Sequence, residues 1–592
     1  MNLRNLLNPF AAPTPLEVKL GPVTLNTQKQ PNIFISGCIG AGKTSSGMYP
    51  LIQQLLAQDN EANKKENLGG LILDGAGDYT DYLISAMHNQ KRNVLKDLIL
   101  LSSCPYYTVA QLEEVDTKET FFLAANDASQ LSESSEFTRL LKETNNDTYE
   151  KAYVSATTLF TSVPPLDEQP DSWIFKVVFD LSVLKTPLMF LGWQETKGKL
   201  QRVAYNNSLD EAVLAKNEAG EVIQTDIPKR LRFVKFIKID TGITYNLCSE
   251  NVAEMANLLT SNVAEQDTYW SDVTREHLNF CADLGKATLP FPVTLADLHL
   301  LTSDTAYLNI QLERLSELIE QGTKEVTEEV VLRYKDLHAY FSTFFNALEV
   351  KTKACITTGI TNLLGSFHSD AKLNEVFCTS STVKLDEIIQ EGKIVSVVTP
   401  GGIQAGKLAG KIVKAELQKL LVNRVVVESA NKTRRVLIAY EEAQNYITPG
   451  ILSPAEDTYC MSLARQSSVT NLVAAQSMAS VNSVLKPNDV AVYFQMFNTF
   501  VFYTNLDVAT QEECDKLLVR IEGAEKIDLS QLNVHEAVIV ERNKSVTKVQ
   551  LKPDSYGYPD NRAKALRVST RYFNALIENR LNSEGMSGLL EG

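Results

Sequence analysis

The sequence predicts an α/β fold in which a mostly parallel sheet is interrupted by a large, mostly helical insertion. Short apolar runs alternate with helical patterns in residues 20–101, long helical patterns replace them in 102–379, and the alternation resumes in 380–552. Such alternation is typical of parallel sheets, which bind ligands at the carboxyl ends of their strands. We therefore expect one sheet built from two separated segments, with an N-terminal arm at 1–19 and a C-terminal tail at 553–592.

The first predicted element is a strand followed by a glycine-rich loop and a helix. The apolar run 32–35 precedes the sequence GCIGAGKT at 37–44, and a helical pattern covers 45–58. In a phosphate-binding P-loop, glycines turn backbone N–H groups inward, the lysine contacts the β and γ phosphates, and the Thr hydroxyl ligates Mg²⁺. The pattern predicts ATP and Mg²⁺ as cofactors; a glycine-rich turn that fits by chance is the alternative. The predicted nucleotide-binding residues are Gly37, Gly40, Ala41, Gly42, Lys43, Thr44 and Ser45.

Further elements follow from the same patterns. Pro50 lies inside the first helix, which we expect to kink or restart there, because proline lacks the N–H that a helix interior requires. A buried strand is predicted at 71–73, and a small β element at about 186–245 within the insertion. The insertion should otherwise contain helices at 251–264, 308–321 and 332–367. Later strands are predicted at 393–398, 435–439, 471–475, 499–503, 535–540 and 547–551, with a helix at 409–422.

Two consecutive glutamates follow the predicted strand at 435–439. A P-loop NTPase needs an acid at the end of a neighbouring strand to hold Mg²⁺ through water, and a base to orient the attacking water. Glu441 is the candidate magnesium acid and Glu442 the candidate catalytic base. The alternative is two solvated carboxylates at the positive end of a helix.

Two polar residues near the next strand complete the predicted catalytic set. Gln476 directly follows the strand at 471–475, where an amide can sense the γ-phosphate or the water, although it could also be an ordinary turn residue. Arg465 ends the preceding helix and could reach a phosphate across a subunit boundary, or form a surface salt bridge.

Composition limits the number of domains and the kinds of binding site that the chain can have. The 592 residues exceed one compact core, and the 44% hydrophobic content can fill several. A net charge of −15 argues against a surface covered in basic residues, but not against a ring with a few positive side chains in its pore. The eight cysteines and six histidines show no metal-site spacing, and no run approaches the roughly 20 apolar residues of a membrane span. We expect a cytoplasmic protein without a membrane span of its own.

In combination, these motifs resemble the coupling proteins of type IV secretion and conjugation and the wider FtsK/HerA group of motor ATPases. The resemblance rests on the P-loop with Pro50 seven residues after Lys43, the DGAGD sequence at 74–78, and LIAYEEAQ at 437–444. It also rests on the spacing from Arg465 to Gln476, the strand and helix at 500–518, and the closing hairpin at 535–551. Ala76 stands where these proteins have lysine, Glu441 replaces the commoner aspartate, and Ala475 replaces a threonine.

The resemblance implies a RecA-like ATPase domain and a hexameric ring that moves DNA, or couples a nucleoprotein substrate to a secretion or conjugation machine. It implies Mg²⁺ binding by Thr44 and Glu441, with Arg465 acting in trans. Secretion or DNA-processing proteins would bind the insertion, and any attachment to the inner membrane would need a partner. Three alternatives stay open: a HerA-like ring partnering a nuclease or defence effector, a secretion ATPase that handles proteins, and a viral packaging motor.

Overall fold

The structure, a computed structural model, describes residues 17–57, 67–75, 79–102, 107–114, 120–125, 189–196, 199–206, 231–239, 243–248, 268–321, 327–399, 404–426, 434–448 and 455–554. These residues form two compact units, one from 17–102 and 243–554, the other from the strands between 107 and 239. The predicted helix at 251–264 and the chain termini lie outside the described residues.

The first segment begins with a hairpin and continues as alternating strands and helices. The helix after the P-loop is a π-helical turn at Lys43–Met48 that continues without a gap as an α-helix from Tyr49, so its hydrogen-bond pattern changes next to Pro50, where a kink or restart was predicted. The hairpin and the strand at 98–102 were not predicted. The elements are β1 (Glu17–Leu20), β2 (Val23–Asn26), β3 (Asn32–Ser36), α1 (Tyr49–Ala57), β4 (Gly69–Asp74), α2 (Tyr79–Asn89), α3 (Val94–Asp97) and β5 (Leu98–Ser102).

The second unit is a five-stranded antiparallel sheet with the strand order β10-β6-β7-β8-β9. Its strands are β6 (Tyr107–Glu114), β7 (Thr120–Ala125), β8 (Met189–Thr196), β9 (Lys199–Asn206) and β10 (Leu231–Ile239). The sequence predicted a β element only from about 186, so β6 and β7 were missed. The strands β6 and β7 pair directly, but the sequence between them, VDTKE at 115–119, contains no glycine, asparagine or proline to signal a hairpin turn.

Helices form the described residues from 268 to 377. They are α4 (Thr268–Thr288), α5 (Leu295–Ser303), α6 (Thr305–Gln321), α7 (Glu328–Ala339), α8 (Val350–Ser369) and α9 (Ala371–Phe377). The single helical pattern predicted at 332–367 is wrong in one respect: a π-helical turn at Tyr340–Phe345 and a break before Val350 divide it. The break accompanies aromatic packing, since the ring of Phe345 stacks on His277 of α4 at 4.3 Å.

The last segment returns to alternating strands and helices. The predicted strands after residue 380 are all present, and the helix predicted at 409–422 is longer. The elements are α10 (Asp386–Gln390), β11 (Ile394–Val398), α11 (Gln404–Val426), β12 (Val436–Tyr440), α12 (Asp457–Ser462), β13 (Val469–Ala475), α13 (Met478–Asn482), α14 (Pro487–Gln495), β14 (Thr499–Phe502), α15 (Val508–Leu518), β15 (Glu536–Glu541) and β16 (Ser545–Gln550), with 3₁₀ turns at Ala443–Asn445 and Leu529–Gln531.

One nine-stranded sheet joins the first and last segments in the order β16-β15-β14-β3-β13-β12-β4-β11-β5. The strands from β14 to β5 are parallel to one another, and β15 and β16 add an antiparallel edge. The predicted α/β fold class is therefore confirmed. Because parallel strands end at the same edge, the residues after β3, β4, β12 and β13 meet there.

Buried apolar residues fix the register of the central strands. Every residue of β3, β4, β11, β12 and β13 is buried, as expected for strands covered by helices on both faces. Phe34 of β3 packs edge-on against Phe494 and Phe497 with ring centroids 5.2 Å apart. The strand that leads into the P-loop is thus held at the centre of the core, which gives the loop a rigid base.

Candidate nucleotide-binding site

The P-loop leaves the carboxyl end of β3 in the geometry that its glycines allow. Gly40 and Gly42 have φ angles of +79° and +101°, which residues with a Cβ rarely adopt. A Cβ on Gly42 would also lie 2.2 Å from the Nδ1 atom of His535. The Nζ atom of Lys43 donates to the carbonyl oxygens of Gly37 at 2.7 Å and Cys38 at 3.2 Å, so the ammonium lies across the loop.

The closing hairpin supports this loop from the other side. The backbone N–H of His535, which precedes β15, donates to the carbonyl of Ala41 at 3.0 Å, and its ring Nδ1 lies 3.2 Å from the Ser46 hydroxyl. The N–H of Asp554 donates to the carbonyl of Ser45 at 2.6 Å. Sequence reasoning missed His535, because only the three-dimensional pairing of β15 with β14 brings it to the loop.

Glu441 lies beside Thr44 at the end of β12. The hydroxyl of Tyr79 donates to the Oε1 atom of Glu441 at 2.8 Å, and Thr44 lines the same cavity as the Glu441 carboxylate. Burial raises the pKa of Glu441, while the bonds from Thr44 and Tyr79 and the charge of Lys43 act in the opposite direction. A hydroxyl and a carboxylate that line one cavity suit Mg²⁺, which takes few protein oxygens and completes its shell with phosphates and water.

Glu442 has a left-handed backbone, with a φ of 51°, and its side chain is held by two amides. The Nε2 atom of Gln476 donates to Oε1 at 2.9 Å, and that of Gln444 donates to Oε2 at 2.8 Å. The carbonyl of Gln476 in turn accepts a bond of 2.8 Å from the side chain of Asn505, after β14. Both carboxylate oxygens are therefore fixed in direction, and Gln476 acts on Glu442 directly.

These groups open onto a cavity of about 190 Å³ at the carboxyl edge of the sheet. Of the predicted site residues, Thr44, Glu441 and Glu442 line it, and Lys43 and Gln476 contact the lining residues. The full lining set is Thr44, Leu73, Asp74, Gly75, Tyr79, Thr399, Lys407, Glu441, Glu442, Asn445 and Tyr446. In the described part of the chain, no group of three or more His, Cys, Asp and Glu side chains forms a metal cluster.

Arg465 lies apart from the cavity-lining residues. It follows α12, its residue is exposed, and its side chain makes no hydrogen bond or salt bridge with any described residue. The surface salt bridge considered from the sequence is therefore not formed with any described residue. The side chain is available for contact with another molecule.

A buried ion pair lies behind the acidic residues. Lys414 of α11 and Asp457 of α12 are both fully buried, and their Nζ and Oδ1 atoms are 2.5 Å apart. The same oxygen accepts from Gln418 at 2.6 Å, and the other accepts from the backbone N–H of Thr448 at 2.9 Å. The Lys414 ammonium also lies 5.0 Å from the ring centroid of Tyr440, the residue before Glu441. No sequence motif marks this network, which anchors the segments on either side of the acidic pair.

Several solved structures are similar to this chain. They include the bacterial conjugative coupling protein TrwBdeltaN70 in its unbound monoclinic form, with 11% identity, a TM-score of 0.45 and coverage of 91% of this chain and 88% of that one. VirB4 of Thermoanaerobacter pseudethanolicus has 9% identity and a TM-score of 0.38 over 92% and 98% of the two chains. The genome packaging NTPase B204 from Sulfolobus turreted icosahedral virus 2, in complex with AMPPCP, has 13% identity and a TM-score of 0.18 over 29% and 72%.

No protein-family model matches the chain, and no curated protein matches it. Because the TM-scores of the solved structures are all below 0.5, the function has to be argued from this chain's own residues. Among the described helices, none is both long enough and apolar enough to cross a lipid bilayer.

Proposed function

We propose that the protein is a P-loop ATPase that hydrolyses ATP with Mg²⁺ at the carboxyl edge of its parallel sheet. The observation that carries the proposal is the meeting of two distant segments at one cavity, which Thr44 of the P-loop and Glu441 both line beside the fixed carboxylate of Glu442. A phosphate-binding loop alone would fit many binding proteins. A loop joined to an acid and a second, oriented carboxylate has the parts needed for hydrolysis.

Each side chain has a distinct part in this mechanism. The P-loop N–H groups and the Lys43 ammonium bind the phosphates, and Thr44 and Glu441 hold Mg²⁺, the latter through water. The bound ion would neutralise charge on the phosphates. Glu442 accepts a proton from the attacking water, and the amides of Gln476 and Gln444 keep its carboxylate aimed.

The finer part of the proposal is a hexameric ring that translocates DNA, or couples a nucleoprotein substrate to a type IV secretion or conjugation machine. It is supported by the combination of sequence motifs that resembles coupling proteins, from Pro50 to the spacing of Arg465 and Gln476. It is further supported by the exposed Arg465, since a finger that serves the neighbouring subunit must be free in its own. In this assembly, Arg465 stabilises phosphate charge in trans.

The test is ATP hydrolysis by the purified protein with and without single- and double-stranded DNA. We expect DNA to stimulate hydrolysis by the wild type, and Glu442→Gln and Arg465→Ala to lose activity. Arg520→Ala is the matched control, because Arg520 is another exposed arginine of the same unit. Equal hydrolysis with and without DNA of either form would contradict the translocase, and wild-type protein that neither binds nor hydrolyses ATP would contradict the ATPase.

Mixing variants tests whether Arg465 acts on the nucleotide of its own subunit or on that of a neighbouring subunit. Arg465→Ala subunits keep an intact P-loop, and Lys43→Ala subunits keep an intact arginine. If Arg465 acts in trans, mixed rings regain part of the activity that each variant lacks alone. Mixtures that stay inactive, although the variants assemble together, would assign Arg465 to its own subunit or to no catalytic role.

A further inference from the structure

Tyr79, which no sequence motif assigned, joins the ends of two strands at the proposed magnesium site. It is the first residue of α2 and is only 4% exposed. Its hydroxyl donates to Oε1 of Glu441 at 2.8 Å across 362 residues of sequence, and its backbone N–H donates to Oδ2 of Asp74 at 2.9 Å. Tyr79 therefore connects the carboxyl end of β4 to that of β12.

The ring of Tyr79 is held by the helix that carries the P-loop threonine. It packs edge-on against Tyr49 with ring centroids 5.2 Å apart, and Tyr49 stacks on Tyr82 at 3.8 Å. Tyr49 directly follows the helical turn that begins at Lys43 and Thr44. The ring contact with Tyr49 and the backbone bond to Asp74 hold the side chain with its hydroxyl directed at Glu441.

The hydroxyl can only be a donor in this contact. An ordinary phenol is protonated at physiological pH, so toward a carboxylate oxygen 2.8 Å away it donates its hydrogen. A carboxylate oxygen that accepts this hydrogen bond is fixed in orientation, as are metal-binding carboxylates supported by outer-shell donors.

We infer that Tyr79 is a positioning residue that aims the Glu441 carboxylate at the magnesium ion and its water shell. The inference rests on the proposed function, because it assigns a part to a residue of that same site. It predicts a defect in the use of Mg²⁺ and no defect in phosphate contact by the P-loop. If Tyr79 only filled space, removing its hydroxyl would change neither the Mg²⁺ requirement nor the affinity for nucleotide without Mg²⁺.

The experiment compares Tyr79→Phe with Tyr82→Phe. Tyr82 is a suitable control because it lies on the same helix, is 2% exposed, and donates its hydroxyl to the carbonyl of Tyr49 rather than to a carboxylate. The affinity for a fluorescent ATP analogue is measured in EDTA and over a series of free Mg²⁺ concentrations. Circular dichroism checks that each variant is folded.

For Tyr79→Phe we expect unchanged affinity in EDTA and about a tenfold higher Mg²⁺ concentration for half-maximal tightening of binding. Tyr82→Phe should match the wild type in both. In a Glu441→Gln background, Tyr79→Phe should cause no further shift, because the bond being removed is already altered.

The outcomes separate the inference from the proposed function. A Tyr79→Phe protein with wild-type Mg²⁺ dependence overturns the inference and leaves the ATPase standing. Wild-type protein whose nucleotide binding ignores Mg²⁺ overturns the proposed site itself. If Tyr79→Phe does not fold, fluorotyrosine at position 79 keeps the packing and makes the hydroxyl a stronger donor; an unchanged Mg²⁺ requirement there also overturns the inference.

Discussion

The sheet and the helical region between residues 268 and 377 each enclose a polar cluster, around Lys414 and Asp457 in the first and around His277 in the second, and the two clusters differ in charge. The sheet region buries charge: Lys414 and Asp457 form a fully enclosed ion pair, and Glu441 lies near the charge of Lys43. In the helical region, His277 is buried with no charged partner among the described residues, and burial lowers its pKa to about 4, so the imidazole is neutral.

The difference between the two clusters indicates which region contains the functional site. The ring nitrogens of His277 face the hydroxyl of Tyr340 at 3.1 Å and the Cys281 sulfur at 3.6 Å, both neutral, and burial raises the pKa of that thiol. Such a network satisfies hydrogen bonds and packs the helices. Charge buried in the sheet region is instead compensated by several directed partners, as in sites that bind charged ligands.

The largest expected effect is the loss of the P-loop charge. Lys43→Ala should lower ATP hydrolysis by about 1,000-fold, equivalent to about 4 kcal/mol, because no other described side chain donates across the loop. Phosphate release and nucleotide affinity are the measurements, and the melting temperature should stay near that of the wild type. Lys29→Ala is the control, since Lys29 is exposed at the opposite end of β3. An active Lys43→Ala protein would show that the charge of Lys43 is not needed for hydrolysis. It would contradict the inference that the charges of the sheet region mark the functional site.

Breaking the buried ion pair should be the next largest effect. Lys414→Met leaves the Asp457 carboxylate enclosed with the Gln418 amide and the Thr448 N–H as its hydrogen-bond donors and the charge of Lys411 nearby, and should reduce the free energy of unfolding by about 3 kcal/mol. Urea denaturation measures it. Adding Asp457→Asn removes the unpaired negative charge and should restore part of the lost free energy of unfolding. If the double variant is less stable than Lys414→Met, the buried charge is not the cause of the destabilisation.

The neutral network of the helical region should give the molecule a specific pH dependence. The unfolded imidazole binds a proton near pH 6.5 and the folded one only near 4, so its contribution is intact above 6.5 and is lost as pH falls toward 4. Between pH 6.5 and 5 the loss should be about 1.6 kcal/mol.

Urea midpoints across this pH range check the contribution of His277. His277→Phe should flatten the slope, whereas His88→Gln should not, because His88 is exposed. Equal slopes in wild type and His277→Phe would show that the buried imidazole is charged, and would place the helical region in the same class as the sheet.

Features of the fold and site that depend on neighbouring residues could be predicted from the sequence, and features that depend on distant contacts could not. Periodicity and glycine spacing reveal the P-loop, the change of helix type next to Pro50 and the strands of the sheet, because each depends on neighbouring residues. Tyr79, Gln444 and the ion pair behind Tyr440 depend on which strands lie side by side, which no local pattern encodes. The roles of Glu441, Glu442, Arg465 and Gln476 stay predictions until activity is measured.

The smallest expected effect concerns the second amide on Glu442. Gln444→Ala removes the 2.8 Å bond to Oε2 but leaves the Gln476 bond to Oε1, so the carboxylate stays in place with less directional control. Hydrolysis should fall about tenfold, equivalent to about 1.4 kcal/mol, with nucleotide affinity unchanged. Gln466→Ala, an exposed glutamine next to Arg465, is the control. In a Glu442→Gln background the same change should have no further effect on hydrolysis, because the group that Gln444 orients can no longer accept the proton.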